Sequence, residues 1–174
     1  MFLRFLPVLA LAVACSGPSK PATTTTTTTT PADATTTTTN PPAAKKRLVL
    51  VDGEGVGLGG HDPIAYTTDS AAVKGTAEQV SEHGGAKYRF ASAEHKATFD
   101  ADKVARAPQY GGYCAYAASL NRVSEADPTV WQIVDGQLLV FTNKSYKLQF
   151  NADVPGNKAK ADANWPGLVE KFGK

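Results

Sequence analysis

Chemistry in the folding part of this 174-residue chain centres on one thiol and a few imidazoles. Cys114 follows Tyr110-Gly111-Gly112-Tyr113 and runs into Ala115 to Leu120, which reads as a short helix. A cysteine at a helix N-terminus is stabilised as thiolate by the local dipole, and a thiolate is both a nucleophile and a soft metal ligand. The same residue is also well suited to be a small buried hydrophobe. His95 lies early in a predicted helix, on the stripe that carries Phe99, and His61 adjoins Asp62 after a Gly-rich run. Two nitrogens and a thiolate suit copper or zinc, so Cys114, His95, His61 and Asp62 are the candidate metal ligands. A Cys–His nucleophilic pair uses the same atoms, but no local protease signature surrounds Cys114. Tyr110, Tyr113 and Tyr116 crowd the cysteine, where they either line a site or pack with satisfied hydroxyls. His83, before Gly84-Gly85, reads as a solvated turn residue.

The elements that must hold these groups read as α+β. Leu48 to Asp52 is expected as a short strand, and Ile64 to Thr67 as extended, because Pro63 resists a helix. Lys74 to His83 is expected to hold a short helix, and Tyr88-Arg89-Phe90 a short strand. Ser92 is a good N-cap for a helix over Ser92 to Ala105, with Glu94 in its first turn. Val130 to Val134 and Leu138 to Thr142 flank Asp135-Gly136, a strong hairpin signature. Ser145 is expected to cap a helix from Tyr146, and a last helix over Ala159 to Phe172 to be interrupted at Pro166. Trp131 and Trp165 read as core anchors. Strands and helices do not alternate as a parallel βαβ sheet requires. Gly55 to Gly60 fits G-x-G-x-x-G, but His61-Asp62-Pro63 follows where a dinucleotide-binding unit needs a helix, so that reading is rejected.

Composition divides the chain into three parts. Residues 1–15 carry Arg4, an apolar run and Ala12-Val13-Ala14-Cys15, the order of an export signal. The segment resembles a bacterial lipobox, which makes Cys15 the lipidated N-terminus of a membrane-anchored protein. Ser16 after it favours the outer membrane, facing the periplasm, by analogy with lipoproteins. Residues 16–47 are dominated by Thr and Pro, with no apolar face to bury, and read as a disordered, semi-stiff tether. Residues 48–174 suit one domain. That domain has 13 basic and 15 acidic residues, net −2, so a basic nucleic-acid-binding face has little support. With Cys15 lipidated, Cys114 is the only thiol and has no internal disulfide partner. In an exported setting it is expected to be buried, metal-bound or deliberately reactive.

Four blocks in order, Gly60-His61-Asp62-Pro63-Ile64-Ala65-Tyr66, Tyr88 to His95, Tyr110 to Tyr116 and Ala161 to Pro166, closely resemble exported bacterial YHS domain-containing proteins. The resemblance implies a small α+β domain of short antiparallel hairpins packed with a few helices. It also implies transition-metal binding, with Tyr66 joining Tyr110, Tyr113 and Tyr116 as site-lining residues. In wider YHS modules two cysteines are thought to bind the metal. Their positions correspond here to Ala91 and His95, so one ligand is absent and the other is changed in kind. Cys114 matches a cysteine kept in the exported subfamily. Three functions follow as expectations: a lipid-anchored metal-binding module, a thiol redox protein using Cys114 with an external thiol, and a non-catalytic module that binds a protein partner. None of them requires an enzyme.

Overall fold

The computed structural model describes residues 45–174; the expected export signal, Cys15 and nearly all of the expected tether lie outside the described residues. In chain order the elements are α1 (Ala65–Thr68), β1 (Thr76–His83), β2 (Ala86–Phe90), α2 (Ala93–Ala101), α3 (Lys103–Arg106), α4 (Ala115–Ser119), β3 (Asp127–Val134), β4 (Gln137–Phe141), α5 (Lys144–Asn151) and α6 (Val154–Phe172). The fold is α+β, with β1–β2 and β3–β4 forming separate antiparallel hairpins. Asp135-Gly136 makes the expected tight turn, with φ of 51° and 74°, and Gly84-Gly85 makes its counterpart at 65° and 94°. Positive φ at both central residues matches the right-handed twist of the flanking strands.

One structural unit is built twice. Thr76 pairs with Phe90 and Val80 with Arg89 across a bulge; Asp127 pairs with Phe141 and Trp131 with Val140 across the same bulge, each position 51 residues further on. Ser92 caps α2 by accepting the His95 N–H, and Asn143 caps α5 by accepting that of Tyr146. Asp102 caps α3, and Asp153 caps α6. Phe99 and Phe150 occupy matching helix positions, both fully buried. Before each hairpin the chain makes the same left-handed turn, through Leu58-Gly59-Gly60 and through Tyr110-Gly111-Gly112. At Gly111 a Cβ would run into the Leu48 carbonyl oxygen, so only glycine fits.

The two units share a wall. Four successive residues of β4 are buried, and side chains alternate across a strand. Leu138 and Val140 enter one core with Leu58, Ile64, Tyr66, Tyr88, Phe90 and Phe99. Leu139 and Phe141 enter the other, with Tyr110, Cys114, Phe150, Ala161 and Leu168. Helix α6 packs on α4, where Asn164 Nδ2 donates to the Ala118 and Ser119 carbonyls at 3.0 and 3.2 Å.

Six local expectations are corrected. The helix expected over Ser92 to Ala105 breaks at Asp102, whose side chain accepts the Ala105 N–H and starts α3. Lys74 to His83 is not a helix: Thr76–His83 is β1, because pairing with β2 outweighs the helix preference of Glu and Gln. Ile64 to Thr67 is not extended. Asp62 Oδ1 accepts the Ile64 and Ala65 N–H groups, and Pro63 sits where a missing N–H costs nothing, so Asp-Pro starts α1. Asn143, not Ser145, caps α5. Helix α6 runs through Pro166, whose exposed face lets water take up the freed carbonyl. Leu48 to Asp52 forms no strand; only Val51 makes an isolated bridge, with Gly57.

Candidate functional site

Asp62 and His95 come together from 33 residues apart. The hairpin returns the chain so that α2 starts beside the turn entering α1. Asp62 is fully buried. Its Oδ1 accepts Ile64 N–H at 2.8 Å and Ala65 N–H at 3.4 Å, and its Oδ2 accepts Ala91 N–H at 2.8 Å. Oδ2 also meets His95 Nδ1 at 2.7 Å. With both oxygens receiving N–H groups, the carboxylate is the acceptor, and the shared proton sits on Nδ1. That orients the ring and sets its other nitrogen, Nε2, toward Thr68. The His95 side chain keeps 18% of its exposure. Thr68 Oγ1 lies 3.2 Å from Nε2, and it is also within 3.2 Å of the Ile64 carbonyl oxygen. The hydroxyl has one proton: given to Ile64, it leaves Oγ1 to accept from a protonated Nε2; given to Nε2, it occupies that lone pair, so a ligand at Nε2 displaces the Thr68 contact. Sequence reasoning singled out Asp62 and His95 but missed Thr68, which belongs to none of the recognised motifs.

Cys114 lies elsewhere. Its side chain is fully buried in the core shared by Tyr110, Phe141 and Phe150, and its backbone bridges to Val140 on β4. It occupies the cap position of α4, but its side chain makes no capping hydrogen bond. With five residues, α4 has a weak dipole to offer. Tyr110 is buried, with its hydroxyl donating to Asp162 Oδ1 at 2.8 Å and its ring edge-on to Trp165. Burial, then the Asp162 carboxylate, holds this phenol well above its ordinary value. Tyr113 tilts against Trp165 and is likewise raised by burial. Tyr116 packs edge-on to Tyr146. Tyr66 is buried in the other core, donates to the Pro128 carbonyl at 2.9 Å and stacks edge-on with Trp131; burial, with the nearby charges of Asp127 and Asp62, pushes its phenol up.

His61 is buried, and its Nδ1 donates to the Leu58 carbonyl at 2.9 Å. Burial pulls its pKa down, favouring the neutral ring. His83 ends β1, half-buried and edge-on to Phe99, rather than standing free in a turn. The structure therefore joins Asp62 to His95 and seats Cys114 in the opposite core. No group of three or more His, Cys, Asp or Glu side chains suited to a metal ion occurs among the described residues. No helix among them is long and apolar enough to cross a membrane.

The internal repeat supplies a control for the Asp62–His95 pair. Counted from the matching Gly60 and Gly112 turns, Cys114 stands where Asp62 stands; counted along the matching helices, Tyr146 stands where His95 stands. The Asp62 N–H donates to Val73 O at 2.8 Å, and the Cys114 N–H to Ser124 O at 3.0 Å, so the backbone role is kept. The second unit thus folds through the same turn, hairpin and capped helix without a carboxylate–imidazole pair. The chain matches no family model, no curated protein and no solved structure.

Proposed function

We propose that the chain is an exported, lipid-tethered module of YHS type whose working group is His95, an imidazole oriented by Asp62 to ligate a borderline metal ion such as zinc or copper(II). The observation that carries this is the buried Asp62 carboxylate on Nδ1 of a partly exposed imidazole, a pairing that the second unit lacks. A carboxylate on the far nitrogen of a ligating histidine fixes its tautomer and raises its basicity, and loss of such a partner typically weakens metal affinity about 10–100-fold. The donor set fits an open, exchangeable site and not a closed cage, since Cys114 and His61 point into other surroundings. Water or a partner's side chains would complete the shell. Such a site suits a protein that receives and passes on an ion at the membrane surface.

The test uses the full chain with Cys15→Ser, titrated with Zn(II) and Cu(II) against a chelating indicator. His95→Ala is expected to abolish competition, Asp62→Asn to weaken it, and Cys114→Ala to leave it unchanged. Equal loss in Cys114→Ala and His95→Ala would restore the thiolate site. Absence of competition by the parent chain would reject metal binding. The full burial of Cys114 then favours the partner-binding module over the thiol redox protein, because a thiol must be reached to react.

A further inference from the structure

We infer that the cleft between the N-terminal segment, the β1–β2 turn and α6 binds an amphiphilic monoanion, a carboxylate carrying an apolar chain. The cleft is an open groove of about 520 Å³, within the usual size of small-molecule sites. Its walls divide by chemistry. Val104, Pro108, Trp165 and Val169 present apolar surface, and Val104 is 74% exposed. Lys46, Arg47 and His83 are its ionisable groups besides two tyrosines, and no carboxylate lines it. Lys46 is already engaged, with Nζ donating to the Glu170 carbonyl at 2.8 Å and lying 3.3 Å from its carboxylate. The Arg47 guanidinium has no ion-pair or hydrogen-bond partner among the described residues; only its backbone is held, against Lys174. Arg47 also borders the two clefts adjoining this one, whose linings carry Glu54, Glu82 and Glu125. His83 is held below its ordinary pKa by burial and then by the charges of Lys103 and Arg47, which marks the same end as electropositive.

A guanidinium with no partner among the described residues, beside an apolar wall and with no carboxylate in the lining of this cleft, is complementary to a head-and-tail anion. Arg47 would take the carboxylate, two N–H groups to two oxygens, and the chain would lie along Val104, Pro108 and Trp165. None of Asp62, His95 and Cys114 lines the cleft, so this site stands apart from the metal reading. Four stretches of chain line it: residues 46–49, the β1–β2 turn with Tyr88, residues 104–111, and α6.

The probe is dodecanoate below its micellar concentration, added to the full chain with Cys15→Ser and Trp131→Phe so that Trp165 reports alone. Saturable one-to-one binding is expected. Arg47→Ala should weaken it about tenfold or more, the size of a lost charge-assisted hydrogen bond. Val104→Glu, at an exposed position that does not disturb folding, should weaken it comparably, and dodecanol should bind more weakly than dodecanoate. Circular dichroism melts establish that the variants are folded. Equal binding of dodecanol and dodecanoate, unmoved by Arg47→Ala, would overturn the proposal. So would fluorescence changes only with vesicles containing anionic lipid, since the basic residues would then serve a membrane surface.

Discussion

Asp62 and His95 touch each other, yet removing them should not cost the same. In Asp62→Ala two well-formed backbone donors lose their acceptor, the buried Ile64 N–H and the part-buried Ala91 N–H, both at 2.8 Å, along with the longer Ala65 contact and the imidazole. An orphaned buried donor costs about 1–3 kcal/mol. Ile64 N–H bears that cost in full and Ala91 N–H, which water can reach, a smaller one, so the predicted loss is roughly 2–4 kcal/mol, a large part of the ~5–15 kcal/mol that holds a domain together. In His95→Ala the carboxylate keeps its three backbone donors, and water can reach the vacated place, because the imidazole is partly exposed. The expected cost is about 1–2 kcal/mol, one charge-assisted hydrogen bond with solvent substituting in part. The assay is urea unfolding followed by far-ultraviolet circular dichroism, with unchanged slopes and shifted midpoints. Asp62→Ala within 1 kcal/mol of the parent, or His95→Ala as costly as Asp62→Ala, would refute the reasoning. Either result would mean that the carboxylate does not anchor the turn into α1.

Two further outcomes are expected. Cys114 should react with a thiol reagent only as fast as the domain opens, so labelling should track unfolding as urea is added; rapid labelling of the native chain would contradict its burial. Burial pushes the Tyr88 phenol up to about 12 from an ordinary value of 10.0. The folded state therefore holds this proton more tightly than the unfolded one, so the contribution is complete below pH 10 and is lost as pH rises toward 12. Tyr66 and Tyr110 are raised in the same sense. Phenolate absorbance should lag that of the denatured chain and rise with alkaline unfolding, whereas full ionisation near pH 10 without unfolding would contradict it.

Short-range chemistry made some of this legible. Asp135-Gly136 between two β-rich runs specifies β3 and β4, and Ser92 marks the start of α2, because each signal acts within a few residues. Thr76–His83 was misread because its Glu and Gln favour helix, while its partner in β2 decides the outcome. The repeat escaped notice because few residues carry it. Gly85 and Gly136, Phe90 and Phe141, Phe99 and Phe150, and Asp102 and Asp153 recur at the right interval, but most positions between them differ. What repeats is conformation: Leu58 and Tyr110 adopt the same left-handed backbone with unrelated side chains. The site was half visible. Asp62 and His95 were each singled out, but the turn that faces them toward one another comes from tertiary packing. The same packing sends Cys114 to the other core.

Strand β4 gives the repeat a direction. The first unit's core is completed by Leu138 and Val140, which belong to the second unit's hairpin. A chain ended before Gln137 would keep α1, β1, β2 and α2 but leave Tyr66, Phe90 and Phe99 without their far wall. The two units are thus no longer independent halves joined by a linker. The first unit closes no core of its own, and the pair should melt in one step.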